Sequence, residues 1–289
     1  MPLRAAMSSR WCAGWRRTGD HVLDETPVFG LTVAAYSIST LLFFAVLRSG
    51  GARVQHWASR SLALAILAHL GYLAVDYVVI GRPPLATLHE TLAALSLLIT
   101  VLFLVTMRSH RLPVLGAFIT PVSLLLFLAA SLGRQDTVVP EGVRSVLLPI
   151  HIAVNVLGLA AFALAFALAL AYVIQEQLLR RRQVGGLFQR LPPLDVLDSM
   201  AFRFVTLGFP LFTLGVVTGS IWAARLGNVL GFSTGQGFAL LAWVFFACVL
   251  FSRAAGGWRG RRAAIGTLLG FVCAMAAVGG YVLRDVGGG

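Results

Sequence analysis

The sequence predicts an all-α fold: a polytopic integral membrane protein of about eight transmembrane helices. Hydrophobic residues make up 58% of the 289, and only 12% are charged, whereas average protein usage includes about a quarter charged residues. The charges also fall in short stretches between apolar runs of the length that crosses a bilayer, about 20 residues. Because hydrocarbon offers no partner for backbone N–H and C=O groups, each of these runs must form a helix.

Eight apolar runs account for the eight helices. The fifth run is the longest, and at 1.5 Å per residue it would extend about 43 Å, beyond the hydrocarbon core. We expect an N-terminal extramembrane segment at 1–27, a transmembrane domain at 28–283 and a tail at 284–289. In chain order the runs are 28–47, 61–80, 86–106, 113–132, 147–175, 204–223, 237–252 and 263–283.

Arginines indicate the orientation. They concentrate in the connections after the first, third, fifth and seventh runs, and positively charged connections stay in the cytoplasm. Both termini are therefore predicted to lie outside, although the N-terminal segment has arginines of its own. The largest cytoplasmic connection, about 176–203, carries the run Arg180–Arg182. Contact with anionic lipid headgroups is the expected role of that run, and a docking surface for a cytosolic protein is the alternative.

Composition argues against two other classes of protein. The net charge of +12 would suit a nucleic-acid-binding protein, but the basic residues recur at the ends of apolar runs and form no soluble basic face. No nucleic-acid partner is expected. The three cysteines include no C-x-x-C pair, so neither a disulfide framework nor a thiol redox site is indicated.

Polar residues inside the apolar runs are the candidate functional residues, because ionisable side chains are costly in hydrocarbon. The second run places His69, Tyr72 and Asp76 on one helical face. The fifth run places His151 and Asn155 one helical turn apart. A neutral imidazole is the commonest metal ligand, and haem iron is often held by histidine. Histidines that only hydrogen-bond across helices are the alternative.

The third run opens with His89 and Glu90. With the predicted orientation, these residues and His151 share a depth near the outer surface. The stretch H-E-T-L-A has no second histidine four residues on, so it is not a zinc-protease helix. No other pattern of catalytic residues is present, and no catalytic residue is predicted.

The sixth run contains Gly215-Val-Val-Thr-Gly219, a spacing that lets another helix approach closely. Trp222 follows at the end of this run. It is either one residue of an interfacial aromatic belt or part of a site at the outer mouth.

Four stretches carry a resemblance to a known family. They are Pro84–Leu92 (P-L-A-T-L-H-E-T-L), the helix from Leu147 through His151 to Glu176, Gly208–Ala223, and Gly256–Arg262. In order and spacing over about 80–283, they resemble the CcsA/CcmC-type cytochrome c assembly proteins, and within them the HemX-like and YpjD-like branch.

The resemblance implies haem handling at the outer face of a bacterial inner membrane, with b-type haem as the cofactor. His151 is similar to the first of the family's outer-face histidines and is the expected axial ligand. His69 or His89 would be the second ligand. The residues expected to bind the cofactor are His151, His69, His89, Glu90, Trp222 and Asn155.

The chain departs from the family's synthetases in three places. The loop after Trp222, residues 224–233, lacks their Trp-Trp-Asp pattern, and both Gly279–Leu283 and Phe251 stand where they carry histidines. We therefore expect a haem-binding protein, not an enzyme with a complete cytochrome c synthetase reaction.

Two alternative functions stay open. The HemX-like branch implies a membrane regulator of tetrapyrrole synthesis that acts on glutamyl-tRNA reductase through the Arg180–Arg190 loop; otherwise the protein partner would be a cytochrome c maturation protein. A small-solute transporter is the third hypothesis, and the absence of an internal repeat argues against it.

Overall fold

The computed structural model describes residues 17–80, 85, 87–110, 112–132, 147–183, 185–225 and 234–287. They form α-helices, one 3₁₀ turn at Pro113–Leu115 and no strand within the described ranges. The helices are α1 (Arg17–Ser49), α2 (Ala52–Ile80), α3 (Leu88–His110), α4 (Gly116–Leu132), α5 (Leu147–Arg180), α6 (Leu187–Arg190), α7 (Leu194–Arg225), α8 (Thr234–Gly256) and α9 (Arg261–Gly287).

Eight of the described helices are long and apolar enough to cross a bilayer, and only the four-residue α6 is too short. The prediction of an all-α, multi-pass membrane protein is therefore confirmed. The N-terminal residues 1–16 and the last two residues lie outside the described part of the chain. The orientation of the termini stays a prediction.

Several helices begin earlier than the apolar runs predicted. α1 begins at Arg17, α2 at Ala52 and α7 at Leu194, where the runs start at 28, 61 and 204. Hydropathy marks the part of a helix that lies in hydrocarbon, whereas a helix end in water can be polar. For the same reason the predicted connection 176–203 consists largely of helix: the last turn of α5, the short α6 and the first turns of α7.

The spanning helices form two groups. α1 to α4 pack together, with α1 against α2 and α3 against α4; α5, α7, α8 and α9 form the second group, with α5 against α7 and α8 against α9. Contacts of α5 with α3 join the groups. α5 is the most enclosed helix, with 67% of its apolar span buried against 22% for α7 or α8. A central helix needs small residues for close packing, and α5 is rich in alanine.

A largely buried ion pair holds the turn between α8 and α9. Oδ2 of Asp198 lies 2.9 Å from Nη1 of Arg253, and both side chains are only 12% exposed. Oδ1 of Asp198 accepts a hydrogen bond from the backbone N–H of Gly260 at 3.0 Å. Gly257 and Gly260 have φ of +62° and +70°, a conformation that favours glycine. One carboxylate thus joins α7, α8 and the start of α9.

Candidate functional site

His151 lies in the first turns of α5, half-buried, and faces α7. Its Nδ1 atom is 2.7 Å from Oγ1 of Thr218. That hydroxyl also lies 2.7 Å from the carbonyl oxygen of Leu214, one turn earlier in α7. A hydroxyl has one proton, and the carbonyl can only accept. When Thr218 donates to Leu214, it accepts from His151; the imidazole proton is then on Nδ1, and Nε2 is unprotonated.

The glycines of α7 make room for the His151 side chain and its neighbour Asn155. A Cβ atom on Gly219 would stand 3.0 Å from Cε1 of His151, and one on Gly215 would stand 2.1 Å from Oδ1 of Asn155. The amide of Asn155 donates to the carbonyl oxygen of His151 at 2.8 Å and lies 3.3 Å from its Nε2. The G-x-x-x-G spacing thus permits close approach of α5 and α7, as predicted, at the height of the two polar residues.

This arrangement gives His151 the features of a metal ligand. An imidazole binds a metal through its unprotonated nitrogen, and a hydrogen bond from the other nitrogen fixes the ring. With the proton on Nδ1, Thr218 accepts that bond, and Nε2 accepts from the amide Nδ2 of Asn155 at 3.3 Å. Ligation through Nε2 would replace the bond from Asn155. Within the described residues, no three His, Cys, Asp or Glu side chains gather to hold a bare metal ion. A cofactor that brings its own equatorial ligands, such as haem, would fit a single histidine better.

His89 is buried at the start of α3, and both of its ring nitrogens have partners. Nδ1 lies 2.7 Å from the carbonyl oxygen of Ala130, which belongs to the last turn of α4 and has no partner within that helix. Nδ1 must therefore carry the proton. Nε2 accepts from the hydroxyl of Tyr72 at 2.7 Å. As a ligand, His89 would first have to release Tyr72.

His69 is fully buried in α2, and its partners form a chain. Nδ1 lies 2.9 Å from the hydroxyl oxygen of Tyr36, which lies 3.1 Å from Oγ1 of Thr100. The Thr100 hydroxyl is 2.8 Å from the carbonyl oxygen of Leu97 and donates to it. Tyr36 then donates to Thr100 and accepts from His69. In this direction of the chain the proton of His69 is on Nδ1. Its buried Nε2 has no hydrogen-bond partner in the described structure.

Phe127 of α4 lies at the centre of these side chains. Its ring centroid is 4.4 Å from that of His69, 5.3 Å from that of Tyr72 and 6.0 Å from that of Tyr36. His69 and Tyr72 therefore share a face, as predicted, and both are completely buried. We call Tyr36, His69, Tyr72, His89 and Phe127 the aromatic cluster.

Glu90 is part of a capping box at the start of α3. The backbone N–H of Thr87 donates to Oε2 of Glu90 at 3.3 Å, and the backbone N–H of Glu90 donates to Oγ1 of Thr87 at 3.3 Å. This reciprocal pair satisfies two amides that a helix start leaves without partners. The sequence T-L-H-E has the spacing of a capping box. A role for Glu90 in cofactor binding stays a prediction.

The structure brings the candidate residues together in two sets. His151 and Asn155 lie on α5 against α7, whereas His69 and His89 belong to the aromatic cluster of α1 to α4. The side chain of Trp222 and the loop 226–233 after it lie outside the described residues. Pairing of His151 with His69 or His89 on one iron stays a prediction.

Three hydroxyl partners of the histidines are not among the residues predicted from the sequence. Tyr36, Thr100 and Thr218 are uncharged, and only ionisable residues stand out in an apolar run. For Thr218 a signal existed: it lies inside the G-x-x-x-G stretch, where a neighbouring helix must come close.

Comparisons with known proteins agree with this architecture. Residues 85–280 match the family model described as cytochrome C assembly protein. The "Cytochrome c biogenesis protein CcsA" of Prochlorococcus marinus (strain MIT 9303) is 29% identical over 90% of this chain and 92% of its own length. Proteins of the same name from Parasynechococcus marenigrum (strain WH8102) and Synechococcus sp. (strain CC9311) are 29% and 27% identical, over 78% and 90% of this chain and 83% and 96% of their lengths. The chain belongs to the cytochrome c assembly protein family.

Proposed function

We propose that this chain is a haem-handling protein of the bacterial inner membrane, which binds b-type haem near the outer face in cytochrome c biogenesis or haem homeostasis. The observation that carries the proposal is the 2.7 Å hydrogen bond between Nδ1 of His151 and Oγ1 of Thr218. With the imidazole proton on Nδ1, Nε2 is in the state that coordinates iron. The family and the printed names of its relatives support a link to cytochrome c assembly.

Each residue at this site has a distinct role. His151 would bind the iron through Nε2, and Thr218 would hold the ring in one orientation. Asn155 donates to the backbone of His151 and supports the same turn of α5. Gly219 leaves space beside the imidazole. Haem itself would supply the iron and the flat apolar surface, so the protein needs to provide only ligands and an apolar cleft.

Of the two candidates for a second ligand, His69 has more support. Its buried Nε2 has no hydrogen-bond partner in the described structure. Nε2 of His89 already accepts from Tyr72 at 2.7 Å. Ligation by His69 would satisfy a buried polar atom, whereas ligation by His89 would break a buried hydrogen bond.

We propose binding and delivery of haem, not a complete synthetase reaction. Two places where the synthetases carry histidines have none here. Phe251 is exposed and has no side-chain nitrogen. Gly279–Leu283 contains no histidine either, and within it a Cβ atom on Gly280 would come within 3.3 Å of the Gly235 backbone of α8.

The regulatory alternative would use the connection between α5 and α6. Arg181 and Arg182 are exposed there and could contact a protein such as glutamyl-tRNA reductase. Arg190 has a different role, because its Nη1 donates to the carbonyl oxygens of Leu47 and Arg48 at the end of α1. The surface for such a partner is therefore smaller than the Arg180–Arg190 loop that the sequence indicated.

The test is the visible absorption spectrum of the full chain, purified in detergent after expression with ample haem. We expect the wild type to show a Soret band and, on reduction, sharp low-spin bands. His151→Ala should lose most of this absorbance. His110→Ala is the matched control, because His110 is exposed at the end of α3, and it should keep the wild-type spectrum. A wild type without haem, or equal spectra for the two variants, would contradict the proposal.

A further inference from the structure

An open notch lined by arginines lies at one end of the second helix group. It is formed where α5 ends, α8 turns into α9 and α9 begins, and it encloses about 440 Å³. Its charged and aromatic lining consists of Arg180, Trp258, Arg259, Arg261 and Arg262. We call these five residues the arginine notch. None of them has a place in the proposed haem site.

The positive charge of the notch is only partly neutralised. Glu176 is the one carboxylate paired with it in the described structure: its Oε1 lies 2.7 Å from Arg180, and its Oε2 lies 3.9 Å from Arg261. Arg259 and Arg262 have no ion pair with any described residue. Four guanidinium groups thus face one carboxylate, and an anion would be attracted to the remaining charge.

The turn that carries these arginines is held firmly in place. Gly257 and Gly260 supply the two left-handed positions, and Asp198 binds the N–H of Gly260. Arg253 in turn neutralises Asp198 from within the helix group, with its guanidinium 4.2 Å from the ring centroid of Phe202. A site on a rigid turn loses less entropy when it binds a ligand.

The notch lies where three candidate membrane spans end, and lipid headgroups are expected near such ends. By length and composition, the spans of α5 and α8 end at Arg180 and Gly256, and that of α9 begins at Arg261. Trp258 is 44% exposed there, and the guanidinium of Arg262 lies 6.0 Å from its ring centroid. Tryptophan is typical of the membrane–water interface. A ligand in the notch can therefore have its charge in water and its apolar part in the bilayer.

We infer that the arginine notch binds the headgroup phosphate of an anionic phospholipid. Guanidinium groups match phosphate oxygens in a bidentate geometry, and Arg259 and Arg262 are available for it. Trp258 would contact the glycerol and the first acyl carbons. Basic pockets between transmembrane helices bind such headgroups in other membrane proteins. This site is independent of haem and goes beyond the proposed function.

The experiment measures lipid binding by the full chain in detergent, using native mass spectrometry during titration with phosphatidylglycerol or phosphatidylcholine. We expect one tightly bound phosphatidylglycerol and no comparable phosphatidylcholine. The double variant Arg259→Gln/Arg262→Gln should bind the first phosphatidylglycerol at least about 30-fold more weakly, because each substitution removes a charge-assisted hydrogen bond to the phosphate worth about 1 kcal/mol or more.

The matched control is Arg181→Gln/Arg182→Gln, which removes the same charge from exposed residues just beyond Arg180 and outside the notch. The affinity of this variant for phosphatidylglycerol should change less than about threefold. These two charges would act on the phosphate only from a distance, where salt screens them. Equal losses of phosphatidylglycerol affinity in both double variants would overturn the inference, and so would equal binding of phosphatidylglycerol and phosphatidylcholine. Inorganic phosphate is the third probe: if it binds to the notch while phosphatidylglycerol does not, the site is one for a soluble anion and the lipid inference fails.

Discussion

Oγ1 of Thr218 lies 2.7 Å from Nδ1 of His151 and 2.7 Å from the carbonyl oxygen of Leu214. The single hydroxyl proton can serve only one of these atoms, and the carbonyl has none of its own to give. When that proton goes to Leu214, the Thr218 hydroxyl can only accept from His151, and the imidazole then carries its proton on Nδ1.

Thr218→Val tests this relationship. Valine keeps the shape of threonine but cannot accept a hydrogen bond, so Nδ1 of His151 loses its partner and the ring is no longer held. We expect haem affinity to fall by about tenfold or more, the usual effect of removing a hydrogen bond from a metal-binding histidine. The measurement is the haem content of protein purified after expression at graded haem supply.

The control for that substitution is Thr218→Ser, which retains the hydroxyl and should keep most of the haem. Unchanged haem content in Thr218→Val would show that the hydrogen bond does not prepare His151 for ligation. Loss of haem in both variants would point to packing of the threonine methyl group as the cause.

The sequence was sufficient for the class of fold because a bilayer restricts what a chain can do. A run of about 20 apolar residues has to be a helix, and the eight runs correspond to eight helices. Hydropathy did not predict where the helices begin. α1 begins at Arg17 and α2 at Ala52, in stretches whose polarity resembles that of a loop. Capping groups and packing decide such ends, and hydropathy does not report on them.

The candidate site was predictable only in part. His69, His89 and His151 stand out because ionisable groups are rare in apolar runs. Which nitrogen carries the proton depends on partners far away in the chain, such as Thr218 for His151 and the carbonyl of Ala130 for His89. These pairs arise from helix packing, and no spacing within one helix predicts them.

Gly208→Ala tests the close packing of α5 and α7. A Cβ atom on Gly208 would stand 2.8 Å from Cε1 of Phe162 and 3.0 Å from the carbonyl oxygen of Gly158. Because Phe162 is fully buried and the carbonyl is backbone, neither can move away easily. We expect the free energy of unfolding to fall by about 1–3 kcal/mol, measured by unfolding in SDS followed by circular dichroism.

Gly71→Ala is the matched control for this substitution. Gly71 lies within α2, and a Cβ atom there would meet nothing within 4 Å. Alanine loses less entropy than glycine when a helix forms, so this variant should be as stable as the wild type or more stable by about 0.5 kcal/mol. Equal destabilisation of both variants would mean that Gly208 is not a packing position.

The capping box of α3 allows the two roles of Glu90 to be separated. Thr87→Ala and Glu90→Ala each remove one of the two reciprocal bonds and should lower the free energy of unfolding by about 1 kcal/mol. If Glu90 also shapes the haem pocket, Glu90→Ala will bind less haem than Thr87→Ala at similar stability. Equal haem content in the two variants would limit Glu90 to capping. The comparison needs both the unfolding free energy and the haem spectrum.

A double-mutant cycle on Tyr36 and His69 tests the hydrogen-bond chain of the aromatic cluster. Tyr36→Phe leaves the Nδ1–H of His69 buried without an acceptor and should cost about 1–3 kcal/mol of unfolding free energy. Tyr36→Phe/His69→Phe removes donor and acceptor together, so it should be more stable than Tyr36→Phe alone; replacing both partners of a buried bond can be nearly neutral. Additive losses would contradict coupling between the residues. If the double variant also turns low-spin haem to high-spin, His69 rather than His89 supplies the second axial ligand.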